Sequence, residues 1–392
     1  MAVAFVNGRV LTDAGLEEGL TVVTGSAQIA SVKRDSRAAN NAEKIDLDGK
    51  LLLPGFVDIQ VNGGGGVLFN DKPTVDSIEA IGRVHRQFGT TAFLPTLVSD
   101  DLSVVDEAIS ATRDAIAAGV PGVLGIHIEG PFLNEERKGV HDASKIRYLD
   151  EEAFRLLTRP TGGKTLLTLA PEKTTPRMIR ALTEAGVVVS AGHSNATYTE
   201  VRAALDSGLT GFTHLFNAMS PITVREPGVV GAALDDQDSW CSIIVDGHHV
   251  DPVVLRLAMR CKRRDRFVLV TDAMPSVGSD EKSFSLLGRT ITVSDGVCVG
   301  EDGTLAGSNI DMATAVRNTV HLLGSGIADA VRMASHYPAE FLGLSHKFGR
   351  IAATYRANLA VVDDDLNVLE TWVDGTRWPV NKGRPVDRKL TI

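Results

Sequence analysis

The sequence predicts an α/β protein: a (β/α)8 TIM-type barrel with a small, discontinuous β-sandwich domain formed by the two ends of the chain. Three observations support this prediction. Apolar segments alternate with amphipathic helical segments through the middle of the chain, and strand-like segments with turns occupy both ends. In addition, polar residues follow several of the apolar segments, as expected where a barrel carries its functional site.

The two ends of the chain share a β-rich pattern. The first fifty residues contain AVAFVNGRVL, GLTVVTG and AQIASVKR, and the C-terminal part contains ANLAVVDDDLNVLETWVDGTRW. Such short alternating runs bounded by turn residues are typical of strands. Because they flank a different middle, we expect them to form one small domain. The predicted division is 1–50 and 351–392 for the small domain and 51–350 for the barrel.

The middle of the chain contains eight apolar strand candidates. They are 55–61, 91–96, 123–130, 165–172, 187–193, 211–216, 242–248 and 267–273. Strands rich in Val, Ile and Leu that alternate with helices indicate a parallel sheet covered on both faces. Eight such units favour a closed barrel, with an open doubly wound sheet as the alternative. No GxGxxG motif opens a helix after an early strand, so a dinucleotide site is poorly supported.

Composition and charge exclude several classes of function. The 392 residues carry a formal net charge of −9, which argues against general nucleic-acid binding, and the basic run RCKRRDR at 260–266 is expected at a solvated helix end. There is no apolar run long enough for a membrane span and no signal-peptide pattern. The three cysteines have no CxxC spacing, which predicts reduced thiols and a cytoplasmic protein.

Ionisable or metal-binding residues end five of the eight predicted strands. They are His127 and Glu129 on the third strand, His193 on the fifth, His214 on the sixth, His248 and His249 on the seventh, and Asp272 on the eighth. In a barrel the carboxyl ends of all strands lie on one face, which is where active sites are found. The shared register therefore predicts one catalytic site and makes chance placement the weaker explanation.

A metal centre is the first hypothesis for these residues. Glu129, His193 and His214 supply one carboxylate and two imidazoles, a set that suits a catalytic Zn2+ or a similar divalent ion. The alternative is a glutamate salt bridge and two histidines that donate to backbone carbonyls. Asp272 is placed to exchange a proton with a water, although an Asp here could also cap a helix. His127 is expected to be structural, and could alternatively orient a ligand.

The first predicted barrel strand ends in an unusual way. In PGFVDIQVNGGGG, at 54–66, Gln60 and Asn62 occupy positions at which metal-dependent hydrolases often carry His-x-His. Alternation along the strand places both side chains on one face. Neutral amides are poor ligands for a second Zn2+ compared with imidazoles. The glycine run 63–66 is expected to form a tight turn beneath the site and not a phosphate loop.

Longer motifs carry a resemblance that covers nearly the whole chain. Besides the strand above, they are HIEGPFLNEERKGVH, SAGHSNAT, THLFNAM, REPGVVG, DGHHVD, VTDAM, LAGS and MASHYPAEFLGL. With these motifs the sequence resembles the N-acetylglucosamine-6-phosphate deacetylase family of the amidohydrolase superfamily. That family divides into members with His-x-His that bind two metals and members with Gln-x-Asn that bind one. The chain has the second pattern.

The resemblance implies roles for individual residues. It implies that Glu129, His193 and His214 bind one divalent ion, with Zn2+ expected, and that Asp272 is the general base and then the general acid. His141 would hydrogen-bond the substrate carbonyl as charge develops on it. The substrate-binding residues that it implies are Gln60, Asn62, Val140, Asn217, Ala218, Arg225, Gly247, His249, Leu305, Ala306 and Gly307. Of these, Asn217, Ala218, Arg225 and His249 would hold a phosphate, and a guanidinium is a good phosphate partner in its own right.

The function implied is metal-dependent hydrolysis of the acetamide of N-acetyl-D-glucosamine 6-phosphate, in amino-sugar catabolism or cell-wall recycling. The alternatives are a deacetylase for another N-acyl amino sugar phosphate such as the galactosamine epimer, and a D-aminoacylase-like enzyme. A non-catalytic barrel used as a scaffold or ligand sensor is the alternative from another class. The expected partner is a small-molecule substrate, with no nucleic acid and no membrane, and the resemblance implies a homodimer or homotetramer.

Overall fold

The centre of the fold is an eight-stranded parallel barrel. The computed structural model describes residues 2–34 and 40–380. Barrel strands 1 to 8 are, in order, Phe56–Val61, Thr90–Val98, Gly125–Glu129, Lys164–Leu169, Val188–Ala191, Gly211–Phe212, Trp240–Ile243 and Phe267–Leu269. Neighbours in the sheet follow chain order and pair in parallel. A parallel bridge between Val61 and Ala273 joins the two ends of the sheet. The predicted barrel is confirmed, and the open sheet is excluded.

The eight predicted strands each overlap an observed strand, but several observed strands are shorter at the carboxyl end. Three of the polar residues placed there, His193, His214 and Asp272, have φ angles of 49°, 38° and 51°. A left-handed backbone cannot continue an extended strand. The chain therefore leaves the barrel wall at the residues that carry the site, and the apolar pattern alone does not reveal this change.

Ten helices lie among the described residues. They are Val75–His85, Leu102–Ala117, Glu151–Leu157, Pro176–Glu184, Tyr198–Leu205, Gly228–Asp235, Pro252–Cys261, Met312–His321, Ile327–Ala334 and His336–Phe341. Local caps explain where some begin: Thr197 and Glu200 form a capping box at the fifth helix. None of the described helices is long and apolar enough to cross a bilayer.

The basic run 260–266 lies where the helix Pro252–Cys261 ends, as expected. One residue of the run differs from the expectation of a solvated end. Lys262 is buried, and its Nζ donates to the backbone carbonyl of Ala233 at 3.1 Å and to Ser239 Oγ at 3.1 Å. The amine thus donates hydrogen bonds to oxygen atoms near the end of a neighbouring helix, which is a structural role.

Two further sheets join the N- and C-terminal parts of the chain. The four-stranded sheet contains Gln28–Lys33, Thr21–Gly25, Val3–Val6 and Glu43–Asp46, and the six-stranded sheet contains Thr376–Pro379, Val368–Val373, Leu359–Val362, Leu51–Pro54, Arg9–Thr12 and Gly15–Glu18. In the second sheet Leu51–Pro54 pairs with Leu359–Val362, so strands more than 300 residues apart in sequence lie side by side. A separate apolar cluster, with Phe5 against Trp372 at 5.0 Å between ring centroids, fills the space between the sheets.

The boundaries assigned to the small domain at 50 and 350 stay a prediction. Residues 1, 35–39 and 381–392, which the prediction includes in that domain, lie outside the described residues.

A third sheet, which the sequence analysis missed, follows barrel strand 8. It contains Ser283–Leu286, Arg289–Ser294, Val297–Gly300 and Leu305–Ser308 in antiparallel order. Its apolar residues, including Leu286 and Ala306, pack with Met274 just beyond barrel strand 8. The sheet thus covers the carboxyl end of the barrel, where it contributes a wall to the site described next.

Candidate metal and active site

Three of the predicted ligands meet at the carboxyl end of the barrel. Glu129 Oε1 lies 3.3 Å from His193 Nε2 and 2.9 Å from His214 Nε2, and the two Nε2 atoms are 3.0 Å apart. All three side chains are buried. They form the one group of His, Cys, Asp or Glu side chains in the described part of the chain that is placed to hold a metal ion.

The hydrogen bonding of His193 makes this group suitable for a cation. Its Nδ1 lies 2.9 Å from the backbone carbonyl oxygen of Arg137. A carbonyl oxygen only accepts, so Nδ1 carries a proton. In the neutral ring Nε2 would direct a lone pair toward Glu129, whereas in the protonated ring it would donate to Glu129. Burial alone would raise the pKa of Glu129, but the two imidazoles hold it well below the usual range. A carboxylate and an imidazole lone pair that face each other this closely are suited to a divalent ion between them.

Asp272 lies beside this group, and two side-chain amides hold it. Its Oδ1 accepts from Gln60 Nε2 at 3.1 Å and from Asn62 Nδ2 at 2.6 Å. The same Gln60 Nε2 donates to both oxygens of Glu129, at 3.2 and 3.1 Å. Gln60 and Asn62 therefore act as donors that connect the two carboxylates. No described residue donates to Asp272 Oδ2, and burial and the charge of Glu129 raise the pKa of Asp272 to about 6.

His141 presents its second nitrogen to the same space. The backbone N–H of Ser99 donates to His141 Nδ1 at 3.3 Å, and the Ser99 hydroxyl lies 2.8 Å from that nitrogen. Because an N–H can only donate, Nδ1 is an acceptor and the ring proton lies on Nε2. Burial lowers the pKa of His141 to about 3, so the ring is neutral. His141 Nε2–H is thus a fixed hydrogen-bond donor next to His193, whose ring centroid is 4.4 Å away.

A cavity of about 370 Å³ opens over these residues. Its volume lies in the range typical of sites for small molecules. The ligand group, Asp272 and His141 form its floor. The predicted substrate-binding residues that line it are Asn62, Val140, Asn217, Ala218, His249, Leu305 and Gly307.

Four predicted substrate-binding residues do not line the cavity. Gln60 is buried beneath the floor, Ala306 is buried between two lining residues, and Gly247 is half-buried outside it. Arg225 is exposed on the loop 221–227. Hydrogen bonds between Thr223 and Glu226 fold that loop into a turn, and the Arg225 side chain points to solvent. Within this single chain, therefore, the structure does not bring Arg225 to the other phosphate-binding candidates.

Three residues that the sequence analysis did not select contribute to the site. Arg137 lines the cavity and orients His193, Ser99 orients His141, and Asp246 is bonded to His249. Ser99 and Asp246 each follow a barrel strand closely, which is the signal that identified the other candidates. His127 is buried beneath the ligands with its ring nitrogens near the hydroxyls of Thr96 and Thr168, in agreement with the structural role expected for it.

The fold and the site define the class of protein. A parallel barrel with a glutamate and two histidines at its carboxyl end, next to a carboxylate with a free oxygen, is the arrangement of a metal-dependent hydrolase. Residues 51–378 match the amidohydrolase family. The chain belongs to this family.

Comparison with individual proteins gives similar chains over nearly the full length. An N-acetylgalactosamine-6-phosphate deacetylase from Shewanella sp. (strain ANA-3) is 41% identical over 94% of this chain and 93% of its own. An N-acetylglucosamine-6-phosphate deacetylase from Haemophilus influenzae is 36% identical over 97% of this chain and 100% of its own. The crystal structure of N-acetylglucosamine-6-phosphate deacetylase from Pasteurella multocida superposes with a TM-score of 0.94 at 38% identity, covering 97% of this chain and 100% of that one.

Proposed function

We propose that the protein hydrolyses the acetamide of N-acetyl-D-glucosamine 6-phosphate to D-glucosamine 6-phosphate and acetate. The observation that carries the proposal is the Glu129, His193 and His214 group next to Asp272 at the floor of the cavity, in a chain similar along its length to enzymes named for this reaction. The cavity volume of about 370 Å³ suits a small molecule such as a sugar phosphate.

We propose that Glu129, His193 and His214 hold one divalent ion, with Zn2+ as the expected metal. The two nitrogens and one oxygen are the ligand types that Zn2+ prefers in catalytic sites. Gln60 and Asn62 offer amide N–H groups to Glu129 and Asp272, and this leaves no pair of imidazoles for a second ion. Elemental analysis of active protein should give about one equivalent of metal per chain, and a stable content near two would contradict this assignment.

The residues around the cavity supply the proton transfers. When bound, the ion would supply Lewis-acid activation of the water and of the acetamide carbonyl. Asp272 Oδ2 accepts a proton from the water while the oxygen of the water forms a bond to the carbonyl carbon. His141 Nε2–H donates to the carbonyl oxygen as negative charge develops there. Asp272 then returns the proton to the nitrogen as the carbon–nitrogen bond breaks, which releases the amine and acetic acid. The acid loses its remaining proton to the amine or to solvent and leaves as acetate.

The sugar phosphate is assigned to the other residues of the cavity. Val140, Leu305 and Gly307 form walls for the sugar ring, and Asn217, Ala218 and His249 remain candidates for the phosphate. Arg225 also remains a candidate, although its side chain is exposed in this chain. The phosphate lies away from the bond that breaks, so its binding energy would serve to position the acetamide.

The galactosamine epimer is the second candidate substrate, because the relative from Shewanella carries that name at 41% identity. The test is a deacetylation assay of the purified protein on both N-acetyl hexosamine 6-phosphates, with and without added Zn2+. We expect a higher kcat/KM for the glucosamine form and a gain in activity with the metal. A higher kcat/KM for the galactosamine form would make that sugar the substrate, and inactivity on both would reject the proposal.

We further propose a homodimer or homotetramer in the cytoplasm. The loop 221–227 supports an interface between subunits, because its apolar side chains Ile222 and Val224 are 57% and 102% exposed next to Arg225. Sedimentation of the purified protein tests the assembly, and Ile222→Asp/Val224→Asp should weaken it. The proposed pathways, amino-sugar catabolism or cell-wall recycling, predict that cells without the enzyme accumulate the phosphosugar substrate.

A further inference from the structure

A buried pair, Asp246 and His249, lies at the edge of the cavity, and Asp246 has no role in the reaction as described above. Asp246 follows barrel strand 7, and its Oδ1 accepts from the backbone N–H groups of His248 and His249, both at 2.9 Å. Its Oδ2 lies 2.6 Å from His249 Nδ1. Both side chains are almost fully buried, at 6% exposed for Asp246 and 5% for His249. His249 lines the cavity.

The bonding fixes which nitrogen of His249 serves the cavity. Burial alone would raise the pKa of Asp246, but hydrogen bonds from His249 and the backbone lower it to about 2, so the group is a carboxylate. A carboxylate only accepts, so His249 Nδ1 must carry a proton. The remaining nitrogen, Nε2, has no partner among the described residues. A neutral His249 would therefore offer only a lone pair at Nε2, whereas a protonated His249 would donate from both nitrogens.

The protonation of His249 affects how well an anion can bind, because several other charged groups line the cavity. Glu129, Glu136 and Asp272 line the cavity with carboxylates. A divalent ion on Glu129 would offset the charge at the floor of the cavity, whereas the carboxylate of Glu136 would oppose a nearby phosphate. Apart from the metal-ligand histidines and the neutral His141, the lining residues that can carry positive charge are Arg137 and His249. A phosphate monoester is mainly a dianion near neutral pH and has only acceptor oxygens in that form. It can bind to Nε2 of His249 only if that nitrogen carries a proton.

We propose that Asp246 is a positioning residue for phosphate recognition, which holds His249 as a doubly protonated imidazolium between its own carboxylate and the phosphate of the substrate. The proposal rests on the proposed function and extends it to a residue outside the cavity lining. In this arrangement the Asp246 carboxylate accepts from His249 Nδ1 and stabilises the positive charge of the ring in the complex, and the phosphate is the second acceptor. Selectivity for the phosphorylated sugar then depends on Asp246 without any contact between Asp246 and the substrate.

Asp246→Asn is the matched variant for this idea. The Asn carbonyl oxygen can still accept from the two backbone N–H groups, but its amide donates to Nδ1 and removes the carboxylate that stabilises the imidazolium. The ring is then neutral with its proton on Nε2, so a neutral donor to the phosphate replaces a charged one. We expect the ratio of kcat/KM for N-acetylglucosamine 6-phosphate to that for plain N-acetylglucosamine to fall roughly threefold to tenfold, mainly through KM, because a charge-assisted hydrogen bond is about twice as strong as a neutral one. Asp251→Asn makes the same change at a helix N-cap outside the cavity and should leave the ratio unchanged.

A double-mutant cycle separates positioning from a general structural effect. If Asp246 acts through His249, then Asp246→Asn combined with His249→Ala should lower the ratio no further than His249→Ala alone. Losses that multiply in the double variant would overturn the proposal, because they would mean that Asp246 acts independently of His249. A ratio for Asp246→Asn within twofold of the unmodified protein would also overturn it.

A measurement on the unmodified protein covers the case in which Asp246→Asn does not fold. Nitrogen-15 NMR of histidine-labelled, Zn2+-loaded protein near neutral pH reports the protonation of each ring nitrogen, and the His249 signals among the ten histidines are identified by their loss in His249→Gln. With inorganic phosphate as the probe, we expect both His249 nitrogens to be protonated. An unprotonated Nε2 in saturating phosphate, or no response of His249 to phosphate, would refute the proposal. Because this readout needs no turnover, it stays informative even if the deacetylation assay fails.

Discussion

At the scale of the residue, the role proposed for Asp272 in proton transfer can be tested directly. The amides of Gln60 and Asn62 occupy its Oδ1 and leave Oδ2 free toward the cavity. Asp272→Asn keeps the shape of the side chain but cannot accept a proton from water. We expect kcat to fall about 10²-fold or more, because general acid–base catalysis contributes about that much. Steady-state deacetylation measures the loss, and elemental analysis should find the metal content largely kept.

Asp251→Asn is a suitable control for this variant too, since Asp251 is exposed and caps a helix outside the cavity. It should keep full turnover. If Asp272→Asn also kept near-normal turnover, Asp272 would have a structural role and another residue would have to be the base.

Ser99 and His141 allow a second prediction at this scale. Ser99→Ala removes a hydroxyl but keeps the backbone N–H that fixes the ring proton of His141 on Nε2. It should therefore lower kcat by less than about tenfold. His141→Ala removes the proposed donor to the developing oxyanion and should lower kcat by about 10²–10³-fold. Equal losses in the two variants, measured at saturating substrate, would mean that the hydroxyl and not the backbone sets the orientation of His141.

At the scale of the element, the sequence predicts that the three proposed metal ligands lie together, because parallel strands end on one face. Glu129, His193 and His214 each lie at the carboxyl end of a predicted barrel strand, and this shared position predicts that they are close in space. Arg225 was selected by chemistry and resemblance, but it lies on a loop whose direction depends on the turn between Thr223 and Glu226. Local strand and helix patterns carry no information about the direction of such a loop.

The glycine run after barrel strand 1 forms a β-hairpin, in agreement with the tight turn expected there. Gly63–Gly64 pairs with Val67–Leu68, and the two residues between them, Gly65 and Gly66, have φ angles of 63° and 83°. Positive φ at both central residues is typical of a type I′ turn. The hairpin fixes the residue before it, since Asn62 and Gly63 both donate to the carbonyl of Ala273.

Gly63→Ala tests the close packing of this hairpin. A Cβ at Gly63 would lie 2.4 Å from the carbonyl oxygen of Val67 and 2.9 Å from the backbone nitrogen of Pro275, and neither backbone atom can move freely. We expect the free energy of unfolding to fall by about 1–3 kcal/mol, as overpacking typically costs. We also expect kcat to fall, because Asn62 would shift away from Asp272. Chemical denaturation and the deacetylation assay measure the two effects.

Gly25→Ala is the matched control, because its nearest atom, the Cβ of Ala30, would lie at an ordinary contact distance of 3.7 Å. Gly25→Ala should change neither the free energy of unfolding nor kcat by much. Unchanged stability in Gly63→Ala would mean that the hairpin is free to move and does not hold Asn62.

At the scale of the whole molecule, the sequence predicts the number and order of barrel units but not how the sheets from the ends attach to them. Apolar residues of the six-stranded sheet, such as Leu53 and Ala360, belong to the same apolar core as the barrel. Thr371 Oγ1 donates to the carbonyl of Arg86 at 2.7 Å across this contact. Pairing between segments so far apart depends on register and shape, which composition and periodicity do not specify.

Asp58 couples the stability of the whole molecule to pH. It lies inside barrel strand 1 with no exposed surface, and it accepts from the hydroxyl and backbone N–H of Thr271 and from the backbone N–H of Gln60. Burial raises the pKa of its carboxyl from the usual 3.8 to about 7. Below about pH 4 both the folded and the unfolded chain hold the proton, so Asp58 adds no pH dependence there. Between about pH 4 and 7 only the folded chain holds it, so its contribution to stability falls as the pH rises.

Asp58→Asn removes this titration while it keeps an acceptor for the backbone and a donor for the Thr271 hydroxyl. The free energy of unfolding of the variant, relative to the unmodified protein, should therefore increase as the pH rises from about 4 to 8. A pKa difference of about three units corresponds to a gain of at most about 4 kcal/mol. Denaturant unfolding of the metal-free proteins at several pH values measures the difference, with the exposed Asp251→Asn as the control. A difference that stays constant with pH would mean that Asp58 ionises in the fold as readily as in the unfolded chain, because only a shifted pKa links its ionisation to folding.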